Sequence, residues 1–379
     1  MSKLKADTSE ARGIHTAAEL IAVYIQILLE RHLAWLESHQ GKVSAETIAW
    51  PTGSEIEAAG ALKHRLEGPE GRAWQRLVEL FDLSPAEANL LELALAVAIE
   101  PAVGALIGRA QGNERRLVPS EPLVKRLFGH PAKPIWRPTS PLAMWGMVRP
   151  IKFNPGEPMG FEADSRIADW LYGTLSLDEG LILGVDTTRA GPKLPEWPVG
   201  QAAARIDAAL RANSEIRLVI RAHPGSGRRL FAAAVGQELG REALIVDPAA
   251  LAPDGWAENF MRVQRLALFG DLALIWREGA PDWPGKIPLA PLQFICVPEG
   301  KNAPSRDGAT DLTIKLPEPN VATKAEIWRT LMPHLAREGA QLATTPGLSL
   351  GDLVEASNSA PRNGVEAGDF LRAQARARR

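Results

Sequence analysis

Cysteine is nearly absent from this chain: one residue, Cys296, among 379. A lone thiol closes no intramolecular disulfide, so a disulfide-stapled secreted fold is excluded and a reducing cytoplasm is the compartment that suits the composition. Cys296 sits in the apolar run 292–297, which makes it a buried structural thiol rather than a nucleophile. Apolar runs of membrane-spanning length are also missing. The candidate at 21–29 stops at Glu30 and Arg31, far short of the ~20 residues a spanning helix needs. The N-terminus carries Lys3, Lys5, Asp7 and Glu10 and lacks the cationic-then-apolar order of a signal peptide. Charge of one sign is not in excess either. The net charge is −2 and the pI about 6.4, which gives no strong electrostatic footprint for a phosphate backbone. His32 and His39 lie seven apart on one helix pattern without a Cys, Asp or further His at ligand spacing, so no metal site is expected there.

What is present is most informative at Ala222-His223-Pro224-Gly225-Ser226-Gly227-Arg228-Arg229. A phosphate-binding loop, G-x-x-x-x-G-K-[ST], needs glycines so that backbone N–H groups can close on phosphate. It also needs a lysine for the β/γ-phosphates and a hydroxyl for Mg²⁺. Here the glycine turn survives. The first Gly is Ala222, the Lys is Arg228 and the Ser/Thr is Arg229. Residues 216–220 read as a buried strand, 230–239 as a helix ending at Gly240, and 243–247 as a second strand. Strand, glycine turn, helix, strand is the context the motif demands, and a right-handed crossover makes the sheet parallel. An ordinary glycine turn in a Rossmann-like βαβ unit is the alternative.

An active module also needs an apolar strand ending in an acidic pair. The strand expected at 272–275 is followed instead by Trp276 and Arg277, with Glu278 beyond. Arginine there opposes metal binding, since phosphoryl transfer depends on neutralising negative charge. A third strand, 292–297, ends at Pro298 without an Asn or Thr at its tip.

Residues 16–80 read as helices, the first opened by a capping-box pair, Thr16 and Glu19. The others are expected at about 54–66 and 70–81, after 51–53 and Gly68-Pro69. This region is either a helical cap on its neighbour or a partner platform. Between 84 and 150, eight Lys and Arg stand against five Glu, too small an excess to favour DNA binding. The helix expected at 117–128 then serves protein contact or packing. Residues 180–200 are the expected linker. Trp197 and Trp283, each set between prolines, are expected to be partly exposed, as loop pins or as interface anchors. Helices are expected again at 322–337, 349–357 and 365–379, the last carrying Arg372, Arg376, Arg378 and Arg379 as a solvated basic end.

These residues, with 316–319 leading into 325–329, resemble the first, degenerate ATPase module of a bacterial AAA+ family. Its members have a winged-helix-containing N-terminal region, a decayed AAA+ module and then an intact one. Residues 83–93 and 99–101 are similar to its winged-helix opening, and 161–173 to the strand-to-helix segment that closes it. The likeness covers roughly 83–379, and the intact second module is absent from this chain.

The resemblance implies an α/β multidomain protein. Its parts would be an N-terminal helical region (1–82), a winged-helix-like α+β domain (83–180), a degenerate P-loop AAA+-like parallel α/β module (195–316) and a C-terminal helical lid (317–379). The expected function is a non-hydrolysing, cytoplasmic scaffold or regulatory subunit working with an AAA+ remodelling or assembly ATPase, some relatives of which are associated with phage-tail-like contractile particles. ATP or ADP would be held weakly at 222–229, without a proper Mg²⁺ site. An unusual ATPase in which Arg228 replaces the lysine and a winged-helix DNA binder are the alternatives. No membrane partner is expected.

Overall fold

The computed structural model describes residues 16–39, 53–188, 194–212, 215–223, 225–251, 255–285, 287–318, 320–331 and Leu350. The chain forms two compact units, 1–178 and 179–379.

The first unit is built on helices α1 (Ala17–His39), α2 (Gly53–Glu67), α3 (Arg72–Leu80), α4 (Pro85–Ile99), α5 (Ala102–Ala110), α6 (Glu121–Phe128), α7 (Pro141–Met144) and α8 (Ser165–Leu171). Strands β1 (Val148–Ile151) and β2 (Gly160–Ala163) form an antiparallel hairpin, which an isolated bridge from Gly160 extends to Ser120. Helix α1 opens as its capping box requires: the Thr16 N–H donates to Glu19 Oε2 at 2.9 Å and the Glu19 N–H to Thr16 Oγ1 at 3.3 Å. A second capping box, Ser84 with Glu87, starts α4 one residue before Pro85. Helix α4 is apolar nearly all round, with Leu90, Leu91, Leu93 and Leu95 fully buried. Such a helix must lie inside, and α1, α5, α6 and α8 pack around it. The helix expected at 117–128 begins only at Glu121, because Ser120 before it is extended and bridged to Gly160.

The second unit is a six-stranded sheet in the order β3-β5-β6-β7-β4-β8. Its strands are β3 (Val185–Thr188), β4 (Ile216–Ala222), β5 (Ala243–Val246), β6 (Ala273–Trp276), β7 (Leu292–Pro298) and β8 (Thr310–Lys315). Five strands run parallel and β3 pairs antiparallel with β5. Continuous apolar runs suit such strands, buried on both faces. Helices α9 (Val199–Arg211), α10 (Arg228–Glu238), α11 (Trp256–Gly270) and α12 (Val321–Leu331) complete the described elements. Phe231, Ala232 and Val235 of α10 and Ile206 of α9 share one core with Leu218, Ile275 and Phe294 of the sheet.

The described residues of the expected linker, 180–188 and 194–200, are not a free linker. A short 3-10 turn (Glu179–Leu181) and the edge strand β3 occupy this stretch, and the Asp247 N–H donates to the Gly184 carbonyl at 2.7 Å. Trp197 and Trp283 are 5% and 4% exposed, so neither is the partly exposed loop pin its proline neighbours suggest. Among the described residues no helix is long and apolar enough to cross a membrane. The helices expected at 349–357 and 365–379, and the basic end, lie outside the described residues apart from Leu350, as do the last residues of the helix expected at 322–337.

Candidate functional site

The glycine turn leaves the carboxyl end of β4, the side on which open α/β sheets bind ligands. Ala222 is the last residue of β4, and Pro224 lies outside the described residues. Gly225 and Gly227 have φ of 82° and 86°, values that exclude most L-residues. The Ser226 N–H and hydroxyl both point back to the His223 carbonyl, at 3.2 and 2.8 Å. Gly227 is the N-cap of α10 and supplies no side-chain cap, so the first N–H groups of the helix have no side-chain acceptor from the cap residue. A helix N-terminus left open in this way favours negative charge.

The side chains are arranged differently. Arg228, at the lysine position, is 7% exposed, and its Nη2 donates to Glu278 Oε1 at 2.7 Å. Arg228 is thus neutralised by Glu278, two residues beyond the end of β6. Arg229 is exposed. Trp276, fully buried, turns away from the loop into an aromatic cluster. It stacks on Phe260 at 5.3 Å and lies against Trp256 and Trp283. Its indole N–H donates to Gln293 Oε1 at 2.7 Å, and the Gln293 amide in turn donates to Gln264 Oε1 and the Ala290 carbonyl. Arg277 donates to Asp247 Oδ2 at 2.5 Å, at the tip of β5. His223 lies 3.0 Å from Glu299 Oε2 and 3.7 Å from Glu318 Oε1. The hydrogen bond from Lys315 holds the Glu299 carboxyl below the usual range, with the Lys315 and His223 charges adding to it. Burial pushes the Cys296 thiol up to about 12, which leaves it inert.

Magnesium does not fit this residue set. A hard cation needs oxygen ligands. The hydroxyl position holds Arg229, the acid positions hold Trp276 and Arg277, and Glu278 is engaged by Arg228.

Two residues close the turn that spacing alone did not assign to it. A Cβ built on Gly227 would lie 2.6 Å from Leu350 Cδ2 and 2.8 Å from Trp197 Cζ2. The Leu350 N–H donates to the Gly225 carbonyl at 2.9 Å. Trp197, edge-on to Phe231 at 5.7 Å, had its signal in the sequence as a tryptophan just before a helix. Nothing near Leu350 in the chain marks it.

No protein-family model matches the chain, and no curated protein matches it. Solved structures that overlap it include the RuvB Holliday junction branch migration motor of Thermotoga maritima, at 10% identity and TM-score 0.32 over 48% of this chain and 70% of that one. PCH-2 of C. elegans overlaps at 10% identity and TM-score 0.30 over 48% and 68%. The FIGL-1 AAA domain in complex with ADP overlaps at 11% identity and TM-score 0.33 over 54% and 91%. Overlaps this distant carry no assignment of fold or activity.

Proposed function

We propose that the second unit is a AAA+-like module that has kept its loop backbone, hydrolyses no ATP and works as a scaffold or regulatory subunit. The observation that carries this reading is the Arg228–Glu278 pair: one contact consumes both the phosphate cation and the last acid near the metal position. Arg229, Trp276 and Arg277 remove the remaining chemistry. The sheet, α10 and the glycine turn stay well formed around these losses, as a scaffold requires. In this reading 83–180 is a winged-helix-like region with the β1–β2 hairpin as its wing, and an AAA+ remodelling or assembly ATPase is the partner. Rings of such modules bury heterologous subunit contacts, in which a non-hydrolysing module can still take a place.

DNA binding finds less support in the same region. Lys125 on α6 reaches Glu121 at 3.0 Å, Arg126 donates to the Ala110 carbonyl at 3.2 Å, Arg116 pairs with Glu157 at 2.6 Å, and Arg149 pairs with Glu162. Each of these cations already has an acceptor within the chain, which lowers the gain from a phosphate contact.

Phosphate release from ATP with Mg²⁺ tests the reading. The expected rate equals a buffer control. Turnover on the order of 1 s⁻¹ that vanishes in Arg228→Ala would overturn it. Affinity capture with mass spectrometry tests the partner: an AAA+ ATPase with an intact G-x-x-x-x-G-K-[ST] loop is expected. Recovery of nucleic acid alone, with affinity falling steeply as salt rises, supports the winged-helix DNA-binding alternative instead.

A further inference from the structure

Two buried donors beside the glycine turn have no acceptor among the described residues. Arg228 uses Nη2 on Glu278, while its Nη1, also buried, has no hydrogen-bond partner among the described residues; the same holds for Trp197 Nε1. Both flank one residue. Arg228 follows Gly227 in the chain, and the six-membered edge of Trp197 lies on Gly227. A buried donor without an acceptor costs free energy that a bound acceptor recovers. Here two such donors adjoin the N-terminus of an eleven-residue helix, where backbone N–H groups and the helix dipole favour negative charge. Glu278 is half exposed at 48%, so water can take up its carboxylate, whereas the guanidinium stays buried and needs another anion in its place.

We propose that Glu278 is an internal anion that competes for Arg228 with a polyphosphate ligand, and that displacing it opens a magnesium-independent anion site at Gly225–Arg228. Arginine suits this role because its planar fork holds two oxygens at once. The carboxylate occupies one side of the fork, and an incoming phosphate uses Nη1, the released Nη2 and the first N–H groups of α10. The proposal rests on the reading of this turn as a phosphate cradle, and it is separable from the absence of hydrolysis because it is tested without metal.

Calorimetric titration of the full chain in EDTA, with sodium tripolyphosphate in one arm and ADP in the other, tests it. Glu278→Gln keeps the side-chain shape and removes the charge. It is expected to tighten binding about tenfold, the scale of one charge-assisted hydrogen bond. Glu215→Gln removes a charge just before the opposite end of β4, away from Arg228, and is expected to change affinity less than about twofold. Arg228→Ala in the Glu278→Gln background is expected to abolish the gain, with Arg228→Lys as the variant that keeps the cation if the alanine form does not fold. Equal gains from Glu278→Gln and Glu215→Gln, or no gain from either, would contradict the competition. A gain that survives loss of Arg228 would contradict the site. Gain in both ligand arms marks a polyphosphate site, and gain with ADP alone marks a nucleotide site. Phosphate release seen with Mg²⁺ sinks the non-hydrolysing reading and leaves the metal-free competition standing.

Discussion

Gly227 and Glu92 show what single residues contribute here. Gly227 combines a left-handed backbone with side chains already seated where a Cβ would go, while Gly240 has a similar φ of 73° and open space around it. Alanine at 240 is expected to cost about 1 kcal/mol through the backbone alone, and at 227 about 2–3 kcal/mol because Trp197 and Leu350 must also shift. Urea unfolding of the two variants measures the difference. Equal losses would show that the turn is open.

Glu92 is buried in α4, and burial pushes its carboxyl up to about 7. The Asn89 amide donates to it at 2.8 Å, and Asn89 Oδ1 meets His130 Nε2 at the same distance. Trp74 also bonds to it, and Lys63 and Glu67 bear on it with opposite signs. A folded pKa above the unfolded value means the native state holds the proton more tightly. The associated stability is full below about 4.5 and is lost as pH rises through about 7, a change on the order of 3 kcal/mol. Glu92→Gln, permanently neutral, is expected to leave stability unchanged at acid pH and raise it at pH ~8. Unfolding midpoints at the two pH values check this, and a variant whose pH slope matches the parent would rule out Glu92 as its source.

At the scale of elements, the end of strand β6 is a packing position. Its end residue, Trp276, belongs to a core face with Phe260 and Trp283 and is satisfied through Gln293. Restoring an acid by Trp276→Asp is therefore expected to destabilise the unit by more than about 3 kcal/mol and to yield no phosphate release. A stable variant would show that the aromatic cluster is dispensable. The same strands explain what was legible in the sequence. Apolar runs at 216–220, 243–247, 272–275 and 292–297 mark β4, β5, β6 and β7 to within two residues at each end, because parallel strands buried on both faces leave continuous hydrophobic stretches. Strands β8 and β3 are not marked. Residues 310–315 alternate exposed and half-buried, and 185–188 hold one valine before polar residues. Edge strands carry no such apolar signal.

For the whole molecule, the identity of the loop residues was legible and their pairing was not. Spacing places Arg228 where lysine belongs, but that Glu278 reaches it, that Asp247 takes Arg277 and that Leu350 closes on Gly225 depends on chain segments brought together only by the sheet. Those pairings turn a list of missing side chains into a site whose charges are already answered from within. The central claim is that the backbone cradle remains while the metal chemistry is gone. Calorimetric titration of the unmodified chain with ATP, with and without Mg²⁺, tests that claim most directly. Weak binding that changes less than about twofold with the metal is predicted, since the cradle donors act on phosphate alone. Submicromolar affinity that requires Mg²⁺ would contradict it.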